Sequence, residues 1–130
     1  YDVLAILDWE MATLGDPLMD LGTSLGYWID KTDPENIQQN KFNITNAEGN
    51  LNRGELVSLY SKESKLDISN IVFYYVFGLF KIAVIVQQIF YRYKLGKTSD
   101  KRFKDLNEIV KIYGLMAKRA IDKNRIDNLF

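Results

Sequence analysis

The sequence has neither cysteine nor histidine. The first absence excludes a disulfide framework and a thiolate metal site, and the second removes the commonest transition-metal ligand and general base. Any metal held here is a hard, oxygen-liganded ion. Excess charge of one sign is missing too, because 17 Lys and Arg balance 17 Asp and Glu. No overall field draws the protein onto nucleic acid or an anionic membrane, so small molecules or other proteins are the expected partners. The N-terminus lacks the basic leader and cleavage site of a secretory signal, and a cytoplasmic location is expected. It also lacks an initiating methionine, which makes the chain read as starting inside something longer. The most apolar stretch, Ile71 to Val86, carries Lys81 and is followed by Gln87 and Gln88. It falls short of the roughly eighteen residues a membrane span needs, and no span is expected.

What is present is apolar residue in quantity, 47% of 130 residues, enough for one compact core and too little for two. A single unit over 1–130 is expected. Val3 to Leu7 is an unalternating aliphatic run that predicts a short buried β-strand ending at Asp8. Gly15, Asp16 and Pro17 read as turn, cap and first helical residue, and Leu18, Leu21, Leu25 and Trp28 then recur on one face. A helix from about Pro17 to Ile29 follows. Asp30 to Asn52, with six Asn and two Gln, reads as a polar excursion.

Leu56, Leu59 and Tyr60 predict a short helix over Glu55 to Lys62. Asp67 or Ser69 can cap a longer one that runs to about Tyr93 and stops before Gly96. That central helix is apolar nearly all round, the pattern of a helix surrounded by others. A last helix, Lys101 to Lys123, carries Phe103, Leu106, Val110, Tyr113, Ala117 and Ala120 on one stripe and should pack on the central one. The fold class is therefore mainly α with a short N-terminal β-strand.

Chemistry concentrates where the aliphatic run ends. A carboxylate just past a buried strand is well placed to hold a divalent cation, and Asp8 is that residue. Glu10, two positions on, points the same way in an extended segment and can share the ion. Mg²⁺ fits best, since it needs few protein carboxylates and completes its shell with water and phosphate. Asp16 and Asp20, at a helix start, are expected to satisfy backbone N–H groups. Gly22 and Gly26 permit close helix approach. Tyr27 and Trp28 can edge an acceptor pocket. Lys81 must snorkel, pair or face a polar pocket, and Arg92 can meet an anionic substrate group or the helix end.

The run Ile6-Leu7-Asp8-Trp9-Glu10, then Gly15-Asp16-Pro17, then Asp20-Leu21-Gly22, resembles the aminoglycoside phosphotransferase (APH)-like family of small-molecule kinases. It is most similar to the branch associated with acyl-CoA dehydrogenases. Phe77-Gly78-Leu79-Phe80-Lys81, Gln87-Gln88 and Tyr91-Arg92-Tyr93 extend the likeness over most of the chain. The resemblance implies the C-terminal helical lobe of a protein-kinase-like α+β fold. It implies a phosphotransferase that uses ATP and Mg²⁺ on a hydroxyl of a small molecule, a hydroxyacyl compound in that branch. Asp8 takes the Mg²⁺ role, Glu10 an accessory one, and Asp20 a bracing one. The nucleotide-binding N-terminal lobe, and a catalytic loop with its Asp base, do not precede Asp8. The missing lobe is then an expected partner, and the chain alone is expected to be inactive. The alternative is a non-catalytic helical binding or assembly module.

Overall fold

The computed structural model describes residues 2–38 and 43–130. It is mainly α: α1 (Pro17–Tyr27), α2 (Glu35–Gln38), α3 (Arg53–Ser64), α4 (Ile71–Lys94) and α5 (Leu106–Lys123), with 3-10 turns at Trp9–Met11 and Lys101–Phe103. Residues 39–42 of the polar excursion lie outside the described residues.

Helix α1 starts as its sequence dictates. The Asp16 carboxylate accepts the Leu18 N–H at 2.9 Å with Pro17 as first helical residue, satisfying one of the donors a helix start leaves free. Asp16 also accepts a hydrogen bond from the Tyr74 hydroxyl at 2.6 Å, which ties the start of α1 to α4. Helix α3 begins two residues earlier than the apolar spacing suggests. Asn52 and Glu55 form a reciprocal capping box there, each satisfying an N–H of the other's backbone. Helix α4 begins at Ile71 with Asn70 before it and no side-chain cap. Asp67 instead accepts from Ser69, in the turn ahead of the helix. Gly96, at φ 69°, takes the left-handed conformation that ends α4 at no steric cost.

The bundle is built around α4, which packs against α1 on one side and α5 on another. Leu25, Tyr75, Leu79, Ile82, Met116 and Ala120 form the centre of its core. The α1–α4 crossing is set by glycine on both helices. A methyl group on Gly22 would lie 2.2 Å from the Tyr74 carbonyl oxygen, and one on Gly78 would lie 2.2 Å from the Gly22 carbonyl oxygen. Only hydrogen fits at either place.

Three expectations fail. Val3 to Leu7 form no strand, and Val3, Leu4, Ile6 and Leu7 are exposed. A strand exists only by bonding to another, and none is present among the described residues. The central helix is not enclosed, since Phe73 and Phe80 are each 61% exposed. Its 24 residues make it long and apolar enough to cross a membrane by length and composition, with 22% of the most apolar window buried. The expectation that it is too short therefore does not hold. Within the bundle, it serves as the helix on which α1 and α5 pack.

Candidate functional site

Asp8 adopts a left-handed backbone, φ 62° and ψ 36°, immediately before the 3-10 turn at Trp9–Met11. Asp tolerates this conformation better than most residues, and its side chain makes no capping bond. Glu10 sits inside the turn. The two residues therefore do not lie in the extended segment from which a shared direction was expected. Both are exposed. As donors they suit a hard cation, being carboxylate oxygens with room for water and phosphate. Among the described residues no group of three carboxylates gathers around a point that could hold a metal.

Of the remaining sequence candidates, Asp16 is the α1 cap. The Tyr74 hydroxyl and then the Leu18 N–H hold its carboxyl below the usual range. Asp20 is exposed on the first turn of α1. Lys81 snorkels from α4 to solvent and donates to Thr23 Oγ1 at 3.3 Å. Arg92 is exposed in the last turn of α4, where a cation meets the negative helix end favourably.

Tyr27 and Trp28 line a cavity of about 480 Å³ between the C-terminal end of α1, the middle of α4 and the start of α5. Ile82, Ile85, Val86 and Ile89 form its α4 wall, and Arg102 and Asp105 are its charged residues. Trp28 is held in place by donating from Nε1 to the Leu51 carbonyl at 2.9 Å. Burial pushes the Tyr113 phenol, also in the lining, up to about 12, so it stays a hydrogen-bond donor. The acidic pair lines neither this cavity nor a smaller polar one of about 290 Å³ beside Asp30 and Asn52. Helix α1, 11 residues or about 16 Å long, separates the acidic end of the chain from Tyr27 and Trp28.

Arg53 organises a buried ionic cluster beside the smaller cavity, which Asp30 lines. Fully buried, it clamps Asp33 with two bonds, at 2.9 and 2.5 Å, and donates to the carbonyls of Trp28 at 2.9 Å and Ile126 at 2.8 Å. Burial opposes the guanidinium charge, but the Asp33 bonds and the surrounding negative groups outweigh it and raise its pKa. Asp30 accepts the Arg53 backbone N–H with one oxygen. The other lies 3.2 Å from Nε yet makes no hydrogen bond, because that N–H is committed to Ile126. Burial, offset in part by Arg53, pushes the Asp30 carboxyl up to about 6. None of these three residues stood out in the sequence. The signal available was the Asn52-x-x-Glu55 box, which places Arg53 at the first position of a helix.

Residues 2–46, which hold the acidic motif and the whole of α1, match the phosphotransferase enzyme (APH) family. The chain belongs to this family. It is 32% identical over 112 residues to acyl-CoA dehydrogenase family member 11 of Gallus gallus, a match that covers 84% of this chain and 14% of that protein. It is 37% identical over 102 residues to the Pongo abelii protein of the same name, covering 76% of this chain and 13% of that one. It is also 30% identical over 101 residues to a probable acyl-CoA dehydrogenase IBR3 of Arabidopsis thaliana, covering 75% and 12%. The chain thus spans a small part of the curated relatives it matches, and it falls in the branch of the APH-like family associated with acyl-CoA dehydrogenases. No solved structure matches it significantly.

Proposed function

We propose that the intact protein transfers phosphate from ATP to a hydroxyl of a small molecule, and that this chain supplies a Mg²⁺-holding carboxylate and the acceptor lobe. The observation that carries the reading is Asp8. It is a carboxylate without a capping bond, held in a left-handed turn, inside the stretch that matches the family. Backbone of this kind costs energy and tends to persist where function requires it. Bound Mg²⁺ would supply charge neutralisation for the transferring phosphoryl group, the main demand of this chemistry. Glu10, two residues on, serves such an ion as an accessory carboxylate. Asp16 and Asp20 hold the start of α1 behind the motif, and Lys81 and Arg92 offer cations to anionic parts of an acceptor.

The cavity between α1, α4 and α5 is apolar, with one carboxylate, Asp105, in its lining. That argues for an acyl body and against polycationic aminoglycosides, which call for an acid-lined pocket. The names of the relatives favour a hydroxyacyl compound. The separation along α1 then asks for an elongated acceptor, with its body at Tyr27 and Trp28 and its hydroxyl near the acidic end.

Calorimetric titration of the intact protein with Mg-nucleotide, beside its Asp8→Ala variant, tests the assignment. A loss of affinity of at least about tenfold is expected for the variant, a single charged contact to the metal complex. Unchanged affinity would favour the second reading, a non-catalytic binding module. The loss of the extended segment expected across Asp8 and Glu10 is the feature that speaks for it.

A further inference from the structure

One face of α4 carries Phe73, Phe77, Phe80, Val84, Gln87 and Tyr91 at successive intervals of four and three residues. Four of them are well exposed, Phe73 and Phe80 at 61%, Tyr91 at 60% and Val84 at 39%. The three phenylalanine rings run on from one another, with centroids 6.4 and 6.5 Å apart. A contiguous exposed apolar patch marks an interaction surface. The alternating four-three interval is specifically the seam that receives one other helix, crossing at about 20°.

We propose that this stripe is the seat of one further helix of the intact protein, amphipathic, with an apolar seam of matching interval and acidic residues beside it. The inference rests on the reading that this chain is part of a longer phosphotransferase, in keeping with its covering 13% of the Pongo abelii relative. Charge chooses the occupant. Residues 71–94 include Lys81, Arg92 and Lys94 and no acid, so a complementary partner brings carboxylates. A second copy presenting the same stripe brings none. Paired antiparallel about the stripe's midpoint, near residue 82, it sets Lys81 beside its own counterpart. A lipid surface suits a broad apolar face, whereas the exposed side of α4 is interrupted by Lys81, Gln87, Gln88 and Arg92.

The test titrates the 130-residue chain with the remainder of the intact protein, expressed separately. Expected is a complex weakened at least about tenfold by the double substitution Phe73→Ser and Phe80→Ser, the loss typical of central apolar anchors. Raising the salt from about 0.05 to 0.5 M, or introducing Lys81→Glu, weakens it several-fold. Both phenylalanines are mostly exposed, so the thermal midpoint of the double variant stays near that of the parent chain. If it does not, Tyr91→Ser gives the same reading at the stripe's other end. Absence of any complex, or equal affinity of the variants, overturns the inference. So does a dimer seen by ultracentrifugation and abolished by the double substitution, which assigns the stripe to a second copy. Flotation with phosphatidylserine vesicles, abolished by that substitution, overturns it in favour of lipid. The kinase reading fails separately, if Asp8→Ala leaves Mg-nucleotide affinity of the intact protein unchanged while the complex still forms.

Discussion

Asp30 and Asp16 give the two ends of a pH profile. The Asp30 carboxyl titrates at about 6 in the folded chain against 3.8 as the unperturbed value. Between those two pH values the folded state holds more protons than the unfolded one, so stability falls as pH rises through this window and is level above it. A shift of that size corresponds to roughly 3 kcal/mol at most. Asp16 runs the other way, because its carboxyl is held below 3.8 and its stabilising effect is lost on acidification below that value. Urea unfolding of the chain should therefore show greatest stability near pH 4, and Asp30→Asn should flatten the decline between pH 4 and 6. A wild-type profile that rises across that window would contradict the dominance of burial over the Arg53 attraction at Asp30. The guanidinium behind it is indispensable, because Arg53→Met leaves Asp30 and Asp33 buried without a counter-charge, a loss of about 3–5 kcal/mol.

At the scale of elements, α1 and α4 behave as a matched pair whose separation is set by two missing side chains. Gly22→Ala or Gly78→Ala places a methyl against opposing backbone, which cannot step aside as a flexible side chain does. Each should destabilise by about 1–3 kcal/mol in chemical denaturation, the usual cost of overfilling a packed contact. Gly15→Ala, with nothing within 4 Å of the added methyl, is the control that should change little. The helices were legible because apolar spacing and caps agree, as at Asp16 and Pro17 and at the stop before Gly96. The strand was not, because an aliphatic run such as Val3 to Leu7 reports only that burial suits it and says nothing about a bonding neighbour. Exposure of Phe73 and Phe80 was hidden for a similar reason, since an apolar residue reads the same whether its partner is present or elsewhere.

At the scale of the whole molecule, the acidic motif and the cavity stand at opposite ends of α1, and nothing among the described residues supplies an Asp base or a nucleotide cradle beside Asp8. The purified 130-residue chain incubated with Mg-ATP and hydroxyacyl compounds should transfer no phosphate. Turnover by this chain alone, abolished by Asp8→Ala, would contradict the proposed division of labour. The motif was readable as a string, because Asp-Trp-Glu, Gly-Asp-Pro and Asp-Leu-Gly occur at a characteristic spacing. The Arg53 cluster was not, because its members converge only through the fold: Arg53 meets Asp30 and Asp33 from the polar segment, and the carbonyls of Trp28 and Ile126 from its two sides in sequence.

That convergence bears on how the chain is made. Arg53 bonds the carbonyls of residues 28 and 126, so its last acceptor is synthesised more than seventy residues after the arginine itself. During translation, which adds about 5–20 residues per second, a buried guanidinium would wait several seconds with one N–H unmet. The bundle can close around Arg53 only after residue 126 has left the ribosome, and until then the nascent helices are clients for whatever shields apolar surface in the cell.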